Sequence, residues 1–290
     1  MCCFSNSRKS KKYYLIGGYI IQTDIPTELI RGNLSKYEVI SESGKQIDLE
    51  VSIRIDSGIR NVKNLMGIDD NSGNQLKYYY DKEKVVFKNS YNKLVKYCEL
   101  RKNDNNYKLE IVTDEIEPST CTPESNIEIC SDITYSLRDG VYIFLSLKGK
   151  MCLHSCGMIV NNDGILVIGS SGSGKSYYSK LLFSPDDDDY VGEDMNICSI
   201  ESNHIVFTAT PWCRKNNNRY AIAKKIILLE TYTNKNYVTH DVYLMLCQSE
   251  FSFSWLPDSK ERIRKYSEVI LKNGYDVIFY DKDEGFFHKI

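Results

Sequence analysis

No stretch of this 290-residue chain approaches the ~20 consecutive apolar residues that a membrane-spanning helix needs. The first residues also lack the apolar core of a secretion signal, so the expectation is a cytoplasmic protein with no membrane partner. A basic excess is missing too. Lys and Arg number 37 against 39 Asp and Glu, a formal net charge of -2, which removes the bulk electrostatic reason to expect nucleic acid. Ten cysteines are present, yet none forms a C-x-x-C pair or a paired knuckle, so zinc is not indicated and reduced thiols are expected. Disorder is not indicated either, because 42% hydrophobic and 26% charged residues are ordinary for a globular chain. There is no internal repeat.

What is present begins with Cys2-Cys3 ahead of Arg8-Lys9-Ser10-Lys11-Lys12. A lipid-anchored basic terminus is one reading of that segment, and a frayed, solvated terminus is the default. From Tyr13 onward short β-type runs alternate with turn residues: Tyr13 to Ile16, Tyr19 to Ile21, Tyr37 to Ile40, Ile47 to Ile55, Lys77 to Tyr80, Val85 to Phe87 and Tyr107 to Val112. Ser43-Gly44, Ser72-Gly73 and Asp139-Gly140 read as turns. The alternation from Ile47 to Ile55 predicts one buried and one wet face, the mark of an antiparallel sheet.

Residues 115–132 are poor in apolar side chains and hold two of the six prolines, which predicts a linker or long loop. Val141 to Leu147 is then a strand or a buried helical segment. Met151 to Val160 reads as a strand, and Asn162-Asp163-Gly164 as a hairpin turn into the next one. The division that follows is a flexible terminus at 1–12, a β-rich region at 13–130 that reads substrate or is structural, and a nucleotide-binding core at 131–290.

That core is announced by Gly164-Ile-Leu-Val-Ile-Gly169-Ser170-Ser171-Gly172-Ser173-Gly174-Lys175-Ser176-Tyr177. An apolar β-type run leads directly into G-x-x-x-x-G-K-[ST], the phosphate-binding loop, with a helix expected from about Lys175. Its glycines let successive N–H groups approach phosphate oxygens, and the helix N-terminus adds partial positive charge. Lys175 would bridge the β- and γ-phosphates of ATP, with Ser176 on magnesium.

The helix must be short, because Ser184-Pro185 and four aspartates, Asp186 to Asp189, follow at once. That acidic run lacks the EF-hand spacing and reads as a solvated loop. Strand-like stretches are expected at Met195 to Ile200, His204 to Ala209, Lys225 to Glu230, as a central strand, and Tyr275 to Tyr280, as the last one. Asp258 would cap an amphipathic helix over Ser259 to Lys272, ended by Gly274.

Leu153-His154-Ser155-Cys156-Gly157 before the loop, the loop itself, and Val191-Gly192-Glu193-Asp194 after the short helix occur in an order that resembles the HPr kinase/phosphorylase family and its relatives of the phosphoenolpyruvate carboxykinase-like fold. The resemblance implies an α/β (or α+β) fold with a mixed-sheet P-loop kinase core behind a β-rich N-terminal half. It implies a kinase that uses ATP and Mg2+ to phosphorylate a hydroxyl of a peptide, a protein or a small molecule. Glu193 matches the first acid of the family pair and would be the base, with Asp194 on or near the metal. The family usually carries aspartate at the Glu193 position, so the roles can be exchanged. His154 would hydrogen-bond an acid or a phosphate oxygen. Arg214, Lys215 and Arg219, after Pro211-Trp212, are candidate clamps for an anion. A nucleotide-binding switch, or a phosphorylase or phosphatase on the same site, stays open, as do homo-oligomer formation and the choice of ATP or GTP.

Overall fold

The computed structural model describes residues 11–40, 46–56, 68–69, 76–89, 91–114, 123–232, 241–251, 255–281 and 286–289. The readings made on Cys2-Cys3, Ser43-Gly44, Ser72-Gly73 and residues 115–122 lie outside these. The architecture is mixed α/β, with two mixed sheets and, among the described residues, four α-helices. No helix among the described residues is long and apolar enough to cross a membrane. The chain divides into two compact units, Met1–Phe144 and Leu145–Ile290.

In the first unit the strands are β1 (Lys12–Ile16), β2 (Tyr19–Thr23), β3 (Leu49–Ile55), β4 (Ile68–Asp69), β5 (Leu76–Tyr80), β6 (Lys84–Asn89), β7 (Val95–Lys102) and β8 (Tyr107–Thr113). They form one sheet in the order β1-β2-β3-β8-β7-β6-β5-β4. Lys12 already pairs with Thr23, so the ordered sheet starts inside the segment read as a flexible terminus. Gly17 and Gly18, both at positive φ, close the first hairpin with the backbone twist that two-residue turns require. Strand β3 corrects an expectation: it is parallel to both β2 and β8. Alternation reports which face is covered and carries no information on strand direction. Tyr37 to Ile40 is likewise not a strand, since Tyr37 ends a 3-10 turn and Glu38 makes only an isolated bridge to Tyr14.

The largest correction is helix α1, Pro123–Leu147. It replaces the loop expected up to residue 132, absorbs the Asp139-Gly140 turn, and runs unbroken through the boundary suggested at 130/131. Proline at its first position costs nothing, because that N–H has no helical acceptor. Ile129, Ile133, Leu137, Val141 and Phe144 recur at helical spacing and are all buried, each such side chain contributing about 1.5–3 kcal/mol. Gly140 is needed where it stands: a Cβ there would lie 2.4 Å from Leu109 Cδ2. Polar groups on α1 also organise β7: Asp132 Oδ2 accepts from the N–H groups of Lys93 and Leu94 at 2.8 and 2.7 Å.

The second unit contains β9 (Met151–Val160), β10 (Asp163–Ile168), α2 (Lys175–Phe183), β11 (Tyr190–Glu201), β12 (His204–Ala209), β13 (Tyr220–Tyr232), α3 (Val242–Ser249), α4 (Ser259–Asn273), β14 (Asp276–Asp281) and β15 (Phe286–Lys289). The sheet order is β10-β9-β11-β12-β13-β14-β15, and β10 also pairs with β13, so five strands close on themselves in a ring of pairings. Strand β13 is central, as read, whereas β14 is followed by an antiparallel partner, β15, that the sequence reading missed. The β9–β10 turn is Asn161-Asn162, both at positive φ, one residue earlier than expected.

One face of this sheet packs on α3 and α4 through Leu166, Ile168, Phe207, Met245, Leu246, Ile263 and Tyr266. The other packs on α2 through Cys156, Met158, Val167 and Tyr178. A buried ion pair, Arg262 to Glu250 at 3.0 Å, joins α4 to the end of α3, and Arg262 also donates to the Ser146 carbonyl. Asp258 precedes α4 but accepts no capping bond with its side chain; it sits instead in the left-handed region.

Candidate functional site

The phosphate-type loop leaves the carboxyl end of β10, between its partners β9 and β13. Gly169 has no room for a side chain, since a Cβ would lie 2.4 Å from the Leu229 carbonyl oxygen and 2.6 Å from Ser173 Oγ. Gly174, at φ 89, turns the chain into α2, a conformation that L-residues pay for and glycine does not. The loop is pinned at its start by Gly169 N–H donating to the His154 carbonyl at 3.2 Å, and inside by Ser173 N–H donating to Ser170 O at 3.2 Å. The first helical bond is Tyr178 N–H to Gly174 O. Among the described residues nothing accepts from the N–H groups of Gly172, Gly174, Lys175, Ser176 and Tyr177. Ser173 is fully buried and its Oγ has no partner among them. Free amides at a helix start beside an unpaired buried hydroxyl form a cradle for an oxyanion.

Lys175 lies at the first helical position, buried, and its Nζ donates to Gly169 O and Ser170 O, both at 2.8 Å. Burial pulls the ammonium down to about 8, while the Asp194 carboxylate and Cys156 act in the opposite direction. The unfolded chain therefore holds the Lys175 proton more firmly than the folded one between about 8 and the ordinary value of 10.5. Stability contributed through this group rises with pH across that window. Cysteines and tyrosines whose values burial raises also titrate there once unfolded, so the readout is the difference between wild type and Lys175→Met in urea melts at pH 7.5 and 10. The wild type is expected to gain more; equal gains would show that Lys175 is not desolvated.

The acids arrive by strand register. Ser155 on β9 is opposite Ile168 on one side and Asp194 of β11 on the other, and Glu193 is opposite Cys156. The pair thus stands two strands away from the loop strand, with His154 between. His154 Nδ1 is 3.9 Å from Asp194 Oδ1. The two acids are unlike. Glu193 is 7% exposed and close enough to Cys156 and Tyr190 to raise both their values, although burial is the larger cause in each. Asp194 has a side chain 58% exposed, acts on Lys175, and takes φ 93 inside a twelve-residue strand. Left-handed backbone at a non-glycine residue costs of order 1–3 kcal/mol and collects at functional sites.

Asn196 is the residue whose role sequence reading missed. Its buried side-chain amide donates to Ser155 O, Ser155 Oγ and Gly192 O at 2.9–3.1 Å, which ties β9 to the irregular part of β11 beside the acids. Its only signal is asparagine inside a strand, where the type is rare.

The three candidate cations are not equivalent. Lys215 is already engaged, 2.7 Å from Asp187 and 4.5 Å from the Tyr190 ring centroid, and the Asp187 bond raises its value. The backbone of its loop pairs with β11, Glu193 N–H donating to Lys215 O at 2.9 Å. Arg214 and Arg219 are exposed, and no described residue pairs with their guanidinium groups. The acidic run forms a 3-10 turn, Asp187–Asp189, closed reciprocally by Asp186 and Asp189. Among the described residues no group of three or more His, Cys, Asp or Glu converges as a metal site. No family model matches the chain, and no curated protein matches it.

Proposed function

We propose that the chain is an ATP-dependent kinase of the HPr kinase-like class, which moves the γ-phosphoryl group to a hydroxyl of a peptide, protein or small molecule. The observation that carries this reading is the register Ile168–Ser155–Asp194, which brings an exposed carboxylate on a left-handed backbone within electrostatic reach of the lysine of a phosphate-type loop. The triphosphate lies along the free amides of Gly172, Gly174, Lys175, Ser176 and Tyr177, and Lys175 leaves the Gly169 and Ser170 carbonyls to meet phosphate oxygens.

Asp194 takes the proton of the acceptor hydroxyl while that oxygen bonds to the γ-phosphorus and the bridging oxygen departs with ADP. This gives Asp194 the role of base that the resemblance implies for Glu193, because Asp194 is the acid that meets solvent and Glu193 faces the interior. His154, with Nδ1 3.9 Å from Asp194 Oδ1, is the residue that would steady this carboxylate. Ser176, half-buried in the first turn, has the hydroxyl that would hold magnesium. A magnesium ion held there would supply charge neutralisation on the phosphates. Arg214 and Arg219, both exposed, are the cations that would meet an anionic acceptor.

The test is a screen of hydroxyl acceptors with labelled ATP, scored by ADP and labelled product. Product that depends on Asp194 supports the kinase. Tight ATP binding with no ADP formed on any acceptor overturns it in favour of a nucleotide-binding switch, and label exchange with inorganic phosphate points to a phosphorylase.

A further inference from the structure

Next to the phosphate-type loop three aromatic rings meet. Tyr177, in the first turn of α2, lies 6.2 Å from Tyr280 at the end of β14 and 5.8 Å from Phe287 of β15, and the last two are 4.7 Å apart. Tyr280 belongs to the loop's own surroundings: its Cδ1 is 3.6 Å from where a Cβ on Gly174 would sit. The wall therefore begins where the amide cradle ends. Behind it Tyr178, 3% exposed, fixes Phe287 edge-on at 4.8 Å, so the rings are held before anything binds. In front, Tyr177 is 53% exposed. The cluster thus leaves its outermost ring open to solvent.

We infer that Tyr177, Tyr280 and Phe287 form the surface on which the base of a nucleoside triphosphate lies, and this rests on the nucleotide-binding reading above. A purine offers a flat π-face to rings whose own packing is complete, and base stacking on aromatic side chains is strong and tolerant of base identity. Adenine and guanine nucleotides should consequently both bind, since the recognition is by the ring face.

The experiment measures equilibrium binding of ATP, GTP and inorganic tripolyphosphate to the full chain and to Tyr177→Ser, Tyr177→Phe and Tyr280→Leu. Tyr177 is exposed and Tyr280→Leu keeps apolar bulk, so both variants are expected to fold. ATP and GTP affinity should fall about tenfold in Tyr177→Ser and in Tyr280→Leu, stay near wild type in Tyr177→Phe, and tripolyphosphate affinity should change by less than about twofold throughout. Unchanged ATP affinity in both variants overturns the stacking surface, and so does equal weakening of ATP and tripolyphosphate, which would make the rings a buttress of the loop. A wild type that binds tripolyphosphate as tightly as ATP also overturns it while leaving the phosphate loop standing. Failure of the wild type to bind any of the three overturns the loop reading itself.

Discussion

Asp194→Asn is expected to lower turnover by about 10²–10⁴, the range that a positioned general base contributes, with little change in ATP affinity. Asparagine suits the test because it tolerates left-handed backbone and keeps the side-chain shape, so only the charge and the basicity are lost. Glu193→Gln should lose much less, since that side chain is buried against Cys156 and Tyr190. Asp194→Gly completes the set. Glycine relieves the backbone at φ 93, so stability should hold or rise by up to about 1 kcal/mol where an ordinary strand position would lose a similar amount. Turnover should fall at least as far as in Asp194→Asn. Steady-state kinetics on the acceptor found by the screen, together with urea melts, decide the matter. Equal losses at Glu193 and Asp194 would reject the assignment of the base, and a marked loss of stability in Asp194→Gly would reject the strain.

The second large effect is at Lys175. Its amine makes two hydrogen bonds inside the loop, and a bound triphosphate would replace them with charge-assisted ones, each of about 1.5–3 kcal/mol. Lys175→Ala is therefore expected to weaken ATP binding about 100-fold. At an ATP concentration 100 times the wild-type dissociation constant, the ligand stabilises the wild type by about 2.7 kcal/mol, and a protein binding 100-fold more weakly by only about 0.4 kcal/mol. Thermal melts with and without ATP read this difference directly. Undiminished stabilisation in Lys175→Ala would remove the loop as the binding site. The variant also strips the Gly169 and Ser170 carbonyls of their donor, so its melting point without ATP serves as the reference.

The loop itself was legible because its requirements are local. Glycines at 169, 172 and 174, an apolar run before them and a lysine and serine after them encode a turn between strand and helix within a dozen residues. Most strands were legible for the same reason, and Pro185 correctly limited α2. Helix α1 was not, because its Ile129, Ile133, Leu137 and Val141 face is interrupted by Asp132, Ser136, Asp139 and Gly140, which read as loop residues until their partners are known. Asp132 bonds the backbone at Lys93 and Leu94, Asn89 bonds Asp139, and Gly140 admits Leu109. These long-range contacts override local preference.

The amino-acid sequence by itself determined the phosphate-type loop, its lysine and the short helix after it, since each follows from backbone freedom and periodicity over neighbouring residues. Only the tertiary structure decided what surrounds that loop. The register of β9 and β11 brings Asp194 within electrostatic reach of Lys175 and leaves Glu193 buried, and strand β14 carries Tyr280 to Gly174 across more than a hundred residues of chain. Pairing between distant strands depends on the closing of a common core, and no local pattern specifies which residues then become neighbours.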